Sequence, residues 1–153
     1  AYHRGRYAVP GVDFDAALLP ELFEGLAFRI GSYGDPAAIS ARIWKRATRR
    51  VKNRTGYTHQ WRKRIGAGLK GLCMASADSE SDVGDATARG WRTFRVRKID
   101  APTLKTESIC PASAEGKRRV QCDSCGLCKG AIIAAKNIVI ADHGLMNSRR
   151  RSI

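Results

Sequence analysis

Acidic residues are scarce in this chain. Its 153 residues include 14 Asp and Glu against 28 Lys and Arg, so the formal net charge is +14 and the isoelectric point is about 10.2. A surface this basic favours a polyanionic partner, because contact with phosphates releases condensed counterions. We therefore expect association with nucleic acid, and the alternative is a basic surface that is simply solvated.

Long apolar runs are also missing. No stretch approaches the roughly 20 apolar residues that a membrane-spanning helix needs, and no leader of the secretory type opens the sequence. We therefore expect no membrane partner and a cytoplasmic location. In that reducing compartment, clustered cysteines indicate metal binding rather than disulfides. The oligomeric state is left open.

Several catalytic signatures are absent as well. The sequence has no Walker loop, no G-x-G-x-x-G, no H-E-x-x-H and no nucleophile motif of a Ser/His/Asp triad. Whether the chain is an enzyme therefore stays open at this level. No cysteine precedes Cys73, which lies in an apolar segment and is expected to be a core residue.

The other four cysteines form the most informative motif. They fall within nineteen residues that carry almost no apolar side chains: Cys110, Cys122, Cys125 and Cys128. The last three follow C-x2-C-x2-C spacing, and residues so close together do not readily pair as unstrained disulfides. Thiolates at this spacing can instead converge on one metal centre, so the four cysteines are the predicted metal ligands.

The spacing bears on which metal is bound. Zinc commonly takes its thiolates from two separate C-x2-C pairs, whereas here Cys125 belongs to both pairs of the triplet. A [4Fe–4S] cluster suits a triplet better, because each iron takes one thiolate, and Cys110 would be the fourth ligand. The alternatives are Zn²⁺ in a zinc-stabilised structural or interaction protein, a cluster with an open fourth iron, and either no metal or disulfides.

The fold class follows from the alternation of apolar and helical segments. Five segments are predicted strands, at residues 26–30, 55–60, 72–76, 91–97 and 137–141, and most are separated by helical sequence. This order predicts an α/β fold with mostly parallel strands and right-handed crossovers, similar to part of a (β/α) barrel. We expect one domain over residues 1–144, with the cysteine stretch inserted before the last strand and closing over one end of the sheet. Residues 145–153 are expected to be a basic disordered tail.

Polar residues follow several of the predicted strands. Parallel α/β folds place their sites at the carboxyl ends of the strands, so these residues are candidates for chemistry. Ordinary turn chemistry is the alternative at each position. The candidates for catalysis are Asp35, Tyr57, His59, Gln60 and Asp78, and those for binding a cofactor are Gly31, Gly34 and Ser76.

Basic residues cluster on the helix predicted after Pro36 and again after the second strand. Apolar residues recur every fourth position at Ile39, Ile43, Ala47 and Val51, so we expect that face of the helix to be buried. The cations on the other face either track a phosphate backbone or are simply solvated. The candidates for nucleic-acid contact are Arg42, Arg46, Arg49, Arg50, Arg62, Lys63 and Arg64.

The order of these motifs resembles a family of phage- and plasmid-encoded proteins of the kind called gene product 88. The resemblance spans roughly residues 26–144 and rests on residues 31–36, 55–61 and 75–78, the Cys-Pro stretch with Cys-Gly-Leu-Cys, and His143-Gly144. Those proteins look like relatives of radical-SAM-type barrels, and they usually carry another cysteine cluster upstream. The resemblance therefore implies the carboxyl-terminal part, or a shortened form, of such an iron–sulfur enzyme, located in the host cytoplasm.

Overall fold

A computed structural model of the chain describes residues 16–142, and it shows one sheet of six parallel strands with a few short helices. The α/β class with parallel strands is therefore confirmed, with six strands where the sequence predicted about five. His143, Gly144 and the proposed tail at 145–153 lie outside the described residues. Within residues 16–142, no helix has the length and apolar character needed to cross a bilayer.

The elements follow the predicted order along the chain. The strands are β1 (Ala27–Ile30), β2 (Asn53–Thr58), β3 (Met74–Ala77), β4 (Thr93–Arg97), β5 (Glu107–Ile109) and β6 (Asn137–Ala141). The α-helices are α1 (Leu19–Leu22), α2 (Ala41–Ala47), α3 (Glu80–Ala88) and α4 (Cys122–Cys125). Short 3-10 helices occupy Ala16–Leu18, Pro36–Ala38, Gln60–Arg62 and Arg64–Leu69.

Side-chain caps fix the starts of the helices that follow β1 and β3. The Asp35 carboxylate accepts a hydrogen bond from the Ala37 amide at 2.9 Å, with Pro36 in the first helical position, as predicted. The Ser79 hydroxyl accepts from the Asp82 amide at 3.1 Å and begins α3. Gly90, with a φ of 72°, follows the end of that helix.

The expected apolar stripe on the helix predicted after Pro36 is only partly confirmed, because Ala47 is buried but the two isoleucines are not. Ile39 and Ile43 are each 43% exposed. The chain is extended at Ile39, so α2 begins afresh at Ala41 and its phase is shifted relative to the preceding turn. Trp44 and Ala41 therefore face the core instead, and the Trp44 indole donates a hydrogen bond to the Pro36 carbonyl at 2.8 Å.

The strand order places the helices and the cysteines on opposite faces of the sheet. Its order is β1-β2-β3-β4-β6-β5, so the first three crossovers all step in one direction, whereas the step from β5 to β6 goes back. Right-handed crossovers that step in one direction lie on one face, and a reversed step requires the other face. The segment of the reversed step, residues 110–136, carries the four cysteines.

The packing agrees with this topology. On what we call the helix face, the core contains Ile30, Trp61, Leu69, Cys73 and Trp91, among others. On the cysteine face, Met74, Cys128 and Ile138 are buried, and partly buried side chains such as Tyr57 and Phe94 pack against them. The cysteine stretch thus covers one face of the sheet, which corrects the expectation that it closes over one end.

The strand β5 is the element that sequence reasoning missed. It has only three residues, and its first side chain, Glu107, is fully buried in an ion pair with Arg95, with an Nη2 to Oε2 distance of 2.7 Å. A buried pair of charges gives no apolar signal in the sequence. The outcome is that Cys110 directly follows an edge strand rather than lying in a free loop.

Candidate metal centre and adjoining cavity

The four predicted ligands lie around one small cavity on the cysteine face. Cys110 follows β5, Cys122 and Cys125 are the first and last residues of α4, and Cys128 follows three residues later. The cavity is very small, with a volume of about 10 Å³. Its other walls include Thr55, Tyr57, Leu127 and Ile138.

Strand register determines the position of Cys110. Ser108 pairs with Ile138, and the Cys110 amide donates to the Val139 carbonyl at 2.9 Å, so alternation turns the Cys110 side chain toward the cysteine face. The chain then folds back tightly, because the Ser113 hydroxyl donates to the Cys110 carbonyl at 2.7 Å. An added Cβ on Gly116 would lie 2.1 Å from the Cys110 carbonyl oxygen, so that position requires glycine.

A side chain at the start of β2 fixes α4 and its two cysteines. The Asn53 amide nitrogen donates to the carbonyls of Cys122 at 3.2 Å and Asp123 at 3.0 Å. The helix ends at Gly126, whose φ of 68° lies in the left-handed region that glycine favours. This sharp end turns the chain back so that Cys128 reaches the same cavity.

A buried arginine holds the rest of the cysteine segment. Arg92, 7% exposed, donates through Nε to the Ala135 carbonyl at 2.9 Å and through Nη1 to the Leu127 carbonyl at 2.7 Å. The same guanidinium also donates to the carbonyls of Gly130, at 3.2 Å, and Lys136. One side chain just before β4 therefore ties down both halves of the segment that follows α4.

Two of the four thiols, those of Cys122 and Cys128, are poor acids. Burial raises the pKa of Cys128 to about 11, against the opposing effects of the Tyr57 hydroxyl, which hydrogen-bonds the sulfur, and of the Arg92 charge. Burial also raises the pKa of Cys122, and the neighbouring Cys110 adds to that effect. These two thiols therefore keep their protons at neutral pH, and a metal that binds them must displace those protons.

The four thiols are not arranged around a single metal position. In the part of the chain that the structure describes, no group of three or more His, Cys, Asp or Glu side chains is arranged to hold a metal ion. The cysteines are nevertheless close enough for their charges to interact: Cys110 and Cys125 each influence the pKa values of Cys122 and Cys128. The metal assignment stays a prediction.

A larger cavity of about 530 Å³ adjoins this centre and shares Cys110 and Cys122 with it. It lies where the parallel strands end, as the sequence predicted for the polar candidates. Six of them line it: Gly31, Gly34, Asp35, Tyr57, His59 and Ser76. The apolar part of its wall comes from Phe94, Val96 and Ile140.

Two candidates do not line that cavity. Gln60 begins a 3-10 helix, and its amide donates to the Thr58 hydroxyl at 3.0 Å. Asp78 lies beside His59, with 3.7 Å between its Oδ1 and the imidazole Nε2, and both side chains are largely exposed. Of the predicted catalytic set, Asp35, Tyr57 and His59 therefore share the cavity.

Asp35 connects two strand ends. Its carboxylate accepts from the Ala37 amide, from the Thr58 hydroxyl at 2.7 Å and from the His59 amide at 2.8 Å. Burial alone would raise the pKa of Asp35, but these hydrogen bonds outweigh it and hold the pKa below its usual value. The carboxylate therefore orders the cavity rim in its ionised form.

Tyr57 belongs to both cavities. Burial and the nearby Cys128 raise the pKa of its hydroxyl far above the usual range, and that hydroxyl hydrogen-bonds the Cys128 sulfur. Its ring packs on Phe94, with 4.4 Å between the ring centroids. The residue is therefore a neutral donor to one thiol of the centre.

Sequence reasoning missed Arg29, which lines the larger cavity and faces the Tyr57 ring at 5.7 Å from its centroid. The signal was present in β1: Phe28 and Ile30 pack into the core of the helix face, so alternation turns Arg29 to the cysteine face. Arg92 and Asn53 were missed for another reason. Their partners are backbone carbonyls far along the chain, which leave no pattern in the sequence.

The basic candidates divide into two groups. Five are exposed and make no ion pair within residues 16–142: Arg42, Arg46, Arg49, Lys63 and Arg64. They lie on or next to α2 and the 3-10 helix that begins at Arg64, and these two elements pack together on the helix face, since Gly68 approaches Ala41.

The remaining two cations are paired with carboxylates. Arg50 contacts Glu21 at 3.1 Å and Glu24 at 3.2 Å. Arg62 contacts both Asp82 and Asp85, and its guanidinium lies 3.8 Å from the Trp61 ring centroid. These two are therefore less available to phosphates than the other five.

Comparison of the chain with protein-family models, with curated proteins and with solved structures finds no match. What the site does is therefore argued from its own geometry and chemistry.

Proposed function

We propose that this protein binds a metal centre through Cys110, Cys122, Cys125 and Cys128, and that the centre is a [4Fe–4S] cluster. The observation that carries the proposal is the gathering of the four thiols around one cavity on the cysteine face. The choice of a cluster rests on the C-x2-C-x2-C triplet, whose shared middle cysteine suits a centre with one iron for each thiolate.

The surroundings of the cavity fit an anionic centre. A buried guanidinium, Arg92, lies close enough to Cys128 for the two charges to interact, and its other partners are neutral carbonyls. On the opposite side, Arg29 interacts in the same way with Cys122. Cations near thiolates stabilise the deprotonated form that a metal requires.

The protein's own groups would tune such a centre. A cluster supplies electron transfer or structural cross-linking when bound. Tyr57 hydrogen-bonds the Cys128 sulfur, and hydrogen bonds to ligating sulfurs shift the reduction potential. Leu127 and Ile138 exclude water from one side. Asn53 and Arg92 hold the backbone that carries the ligands.

Metal analysis tests the proposal directly. We expect anaerobically purified protein to contain iron and labile sulfide, and Cys125→Ser to lose most of both. Cys73→Ala is the matched control, because Cys73 is fully buried but belongs to the core of the helix face. Zinc without iron or sulfide would overturn the cluster assignment. Protein that holds neither metal, even after reconstitution, would overturn the centre itself.

We also propose that the protein associates with nucleic acid through the exposed cations of the helix face. The supporting observation is that Arg42, Arg46, Arg49, Lys63 and Arg64 are unpaired in the described chain and lie on, or within two residues of, two elements that pack together. This face is opposite to the cysteine face, so both functions can operate in one molecule.

The salt dependence of binding tests this second proposal. Affinity for duplex DNA and for RNA should fall steeply with salt, since the released counterions come from the contacted phosphates. Arg46→Gln should reduce the slope of log K against log salt by about 1, the loss expected for one phosphate contact. Arg62→Gln is the matched control, because Arg62 already pairs with Asp82 and Asp85. Equal effects of the two substitutions, or binding indifferent to salt, would contradict the assignment.

A further inference from the structure

The larger cavity has the features of a small-molecule site. Its volume of about 530 Å³ is within the range of roughly 300–1,000 Å³ that such sites occupy. Its wall combines the apolar side chains Phe94, Val96 and Ile140 with a few polar groups at the strand ends. It also lies beside the point where the strand order reverses, which is where open α/β sheets bind ligands.

Arg29 is the positive charge in this cavity. Its side chain makes no ion pair with a carboxylate in the described part of the chain. The carboxylate that also lines the cavity, Asp35, is occupied by three donors from its own surroundings. The hydroxyls of Ser76 and Ser113, which also line the cavity, carry no charge.

We propose that this cavity binds a small organic anion, with Arg29 holding its carboxylate or phosphate and the apolar wall holding the rest of the molecule. A guanidinium is well suited to this role, because it donates two parallel hydrogen bonds to either group. The inference needs only the cavity and Arg29, so it does not depend on the metal at the neighbouring cysteines.

Arg29 has one competing role, since its charge also interacts with Cys122. A cation needed only to neutralise the thiolates would affect metal content and not anion binding. Arg92 already supplies a buried positive charge beside Cys128. The two roles are therefore separable by measuring metal content and anion affinity on the same variants.

Isothermal titration calorimetry of the full chain as purified tests the inference. The probes are succinate, glycerol 3-phosphate and inorganic phosphate, with neutral glycerol as the blank and potassium chloride added to suppress non-specific binding. We expect saturable binding of at least one organic anion. Arg29→Met should weaken it by about ten- to a hundredfold, the loss expected for a charge-assisted contact, and Arg29→Lys by less.

Arg42→Met is the matched control, because it removes an exposed, unpaired arginine from α2. Its affinity for the anion should equal that of the unmodified protein. A preference for succinate or for glycerol 3-phosphate identifies which anionic group the site takes. Equal weakening in both variants, binding of inorganic phosphate alone, or no saturable binding would overturn the inference. Loss of metal in Arg29→Met with anion affinity intact would overturn it too.

Discussion

Replacing Arg92 by methionine should release the cysteine segment. The substitution keeps much of the buried apolar stem but removes the donors to the carbonyls of Leu127, Gly130, Ala135 and Lys136. A buried carbonyl without a partner costs about 1–3 kcal/mol. Some of the four are near enough to the surface to recruit water, so we expect the free energy of unfolding to fall by about 3–5 kcal/mol.

A loss of stability alone would not identify the role of Arg92, so a control variant with a similar loss of stability is needed. Leu69→Ala removes a fully buried side chain from the core of the helix face, which should cost about 2–5 kcal/mol. Urea unfolding measures both losses, and the rate at which a chelator removes the metal is measured in native buffer. Arg92→Met should lose metal much faster than Leu69→Ala. Equal rates at equal stability would refute the idea that Arg92 organises the centre.

Three further substitutions test single contacts of the site. Tyr57→Phe keeps the ring on Phe94 but removes the hydroxyl bound to Cys128. In electrochemistry it should shift the reduction potential of the proposed centre with little change in the free energy of unfolding. An unchanged potential would contradict the contact. Gly116→Ala should lower the free energy of unfolding measured in urea by about 2 kcal/mol or more, because the added Cβ meets the Cys110 carbonyl. Gly84→Ala is the control: Gly84 has open space around it in α3, so this substitution should raise the free energy of unfolding by about 0.5–1 kcal/mol. Asp35→Asn should weaken the dependence of the urea midpoint on acid pH. The folded-state pKa of Asp35 is lowered, so its contribution to stability is present at neutral pH and is lost as pH falls below about 4. Identical midpoint profiles between pH 3 and 7 would contradict that role.

Local signals in the sequence were sufficient for most of the fold. Asp35, Pro36 and Ser79 mark helix starts through caps that depend on near neighbours, and the five predicted strands are apolar enough to be recognised. The stripe through Ile39 and Ile43 failed because the break before Ala41 changes the phase of the helix. Periodicity cannot detect such a break when the residues on both sides of it are apolar.

The part of the site at the strand ends was predictable from the sequence. The part held by hydrogen bonds to distant backbone carbonyls was not. The cavity side chains Asp35, Tyr57 and His59 could be grouped because parallel strands end at one edge of a sheet. Arg92 donates a hydrogen bond to the Leu127 carbonyl, and Asn53 donates one to the Cys122 carbonyl. Each bond joins a side chain to a carbonyl at least 35 residues away. Such contacts follow from the reversed step between β5 and β6, which the sequence did not reveal because β5 is so short.

The reversed step also gives a physical reason for the proposed metal on this face. Crossover helices supply the helix face with a large apolar core, from Ile30 through Trp61 and Leu69 to Trp91. The segment that must cover the other face brings few apolar side chains and buries little beyond Cys128 among its own residues. Hydrophobic burial therefore accounts for one face of the sheet, whereas on the other face the proposed metal would add cross-links between Cys110, α4 and Cys128. In the proposed function, metal binding contributes directly to the folding free energy of the cysteine face, while the helix face folds without it.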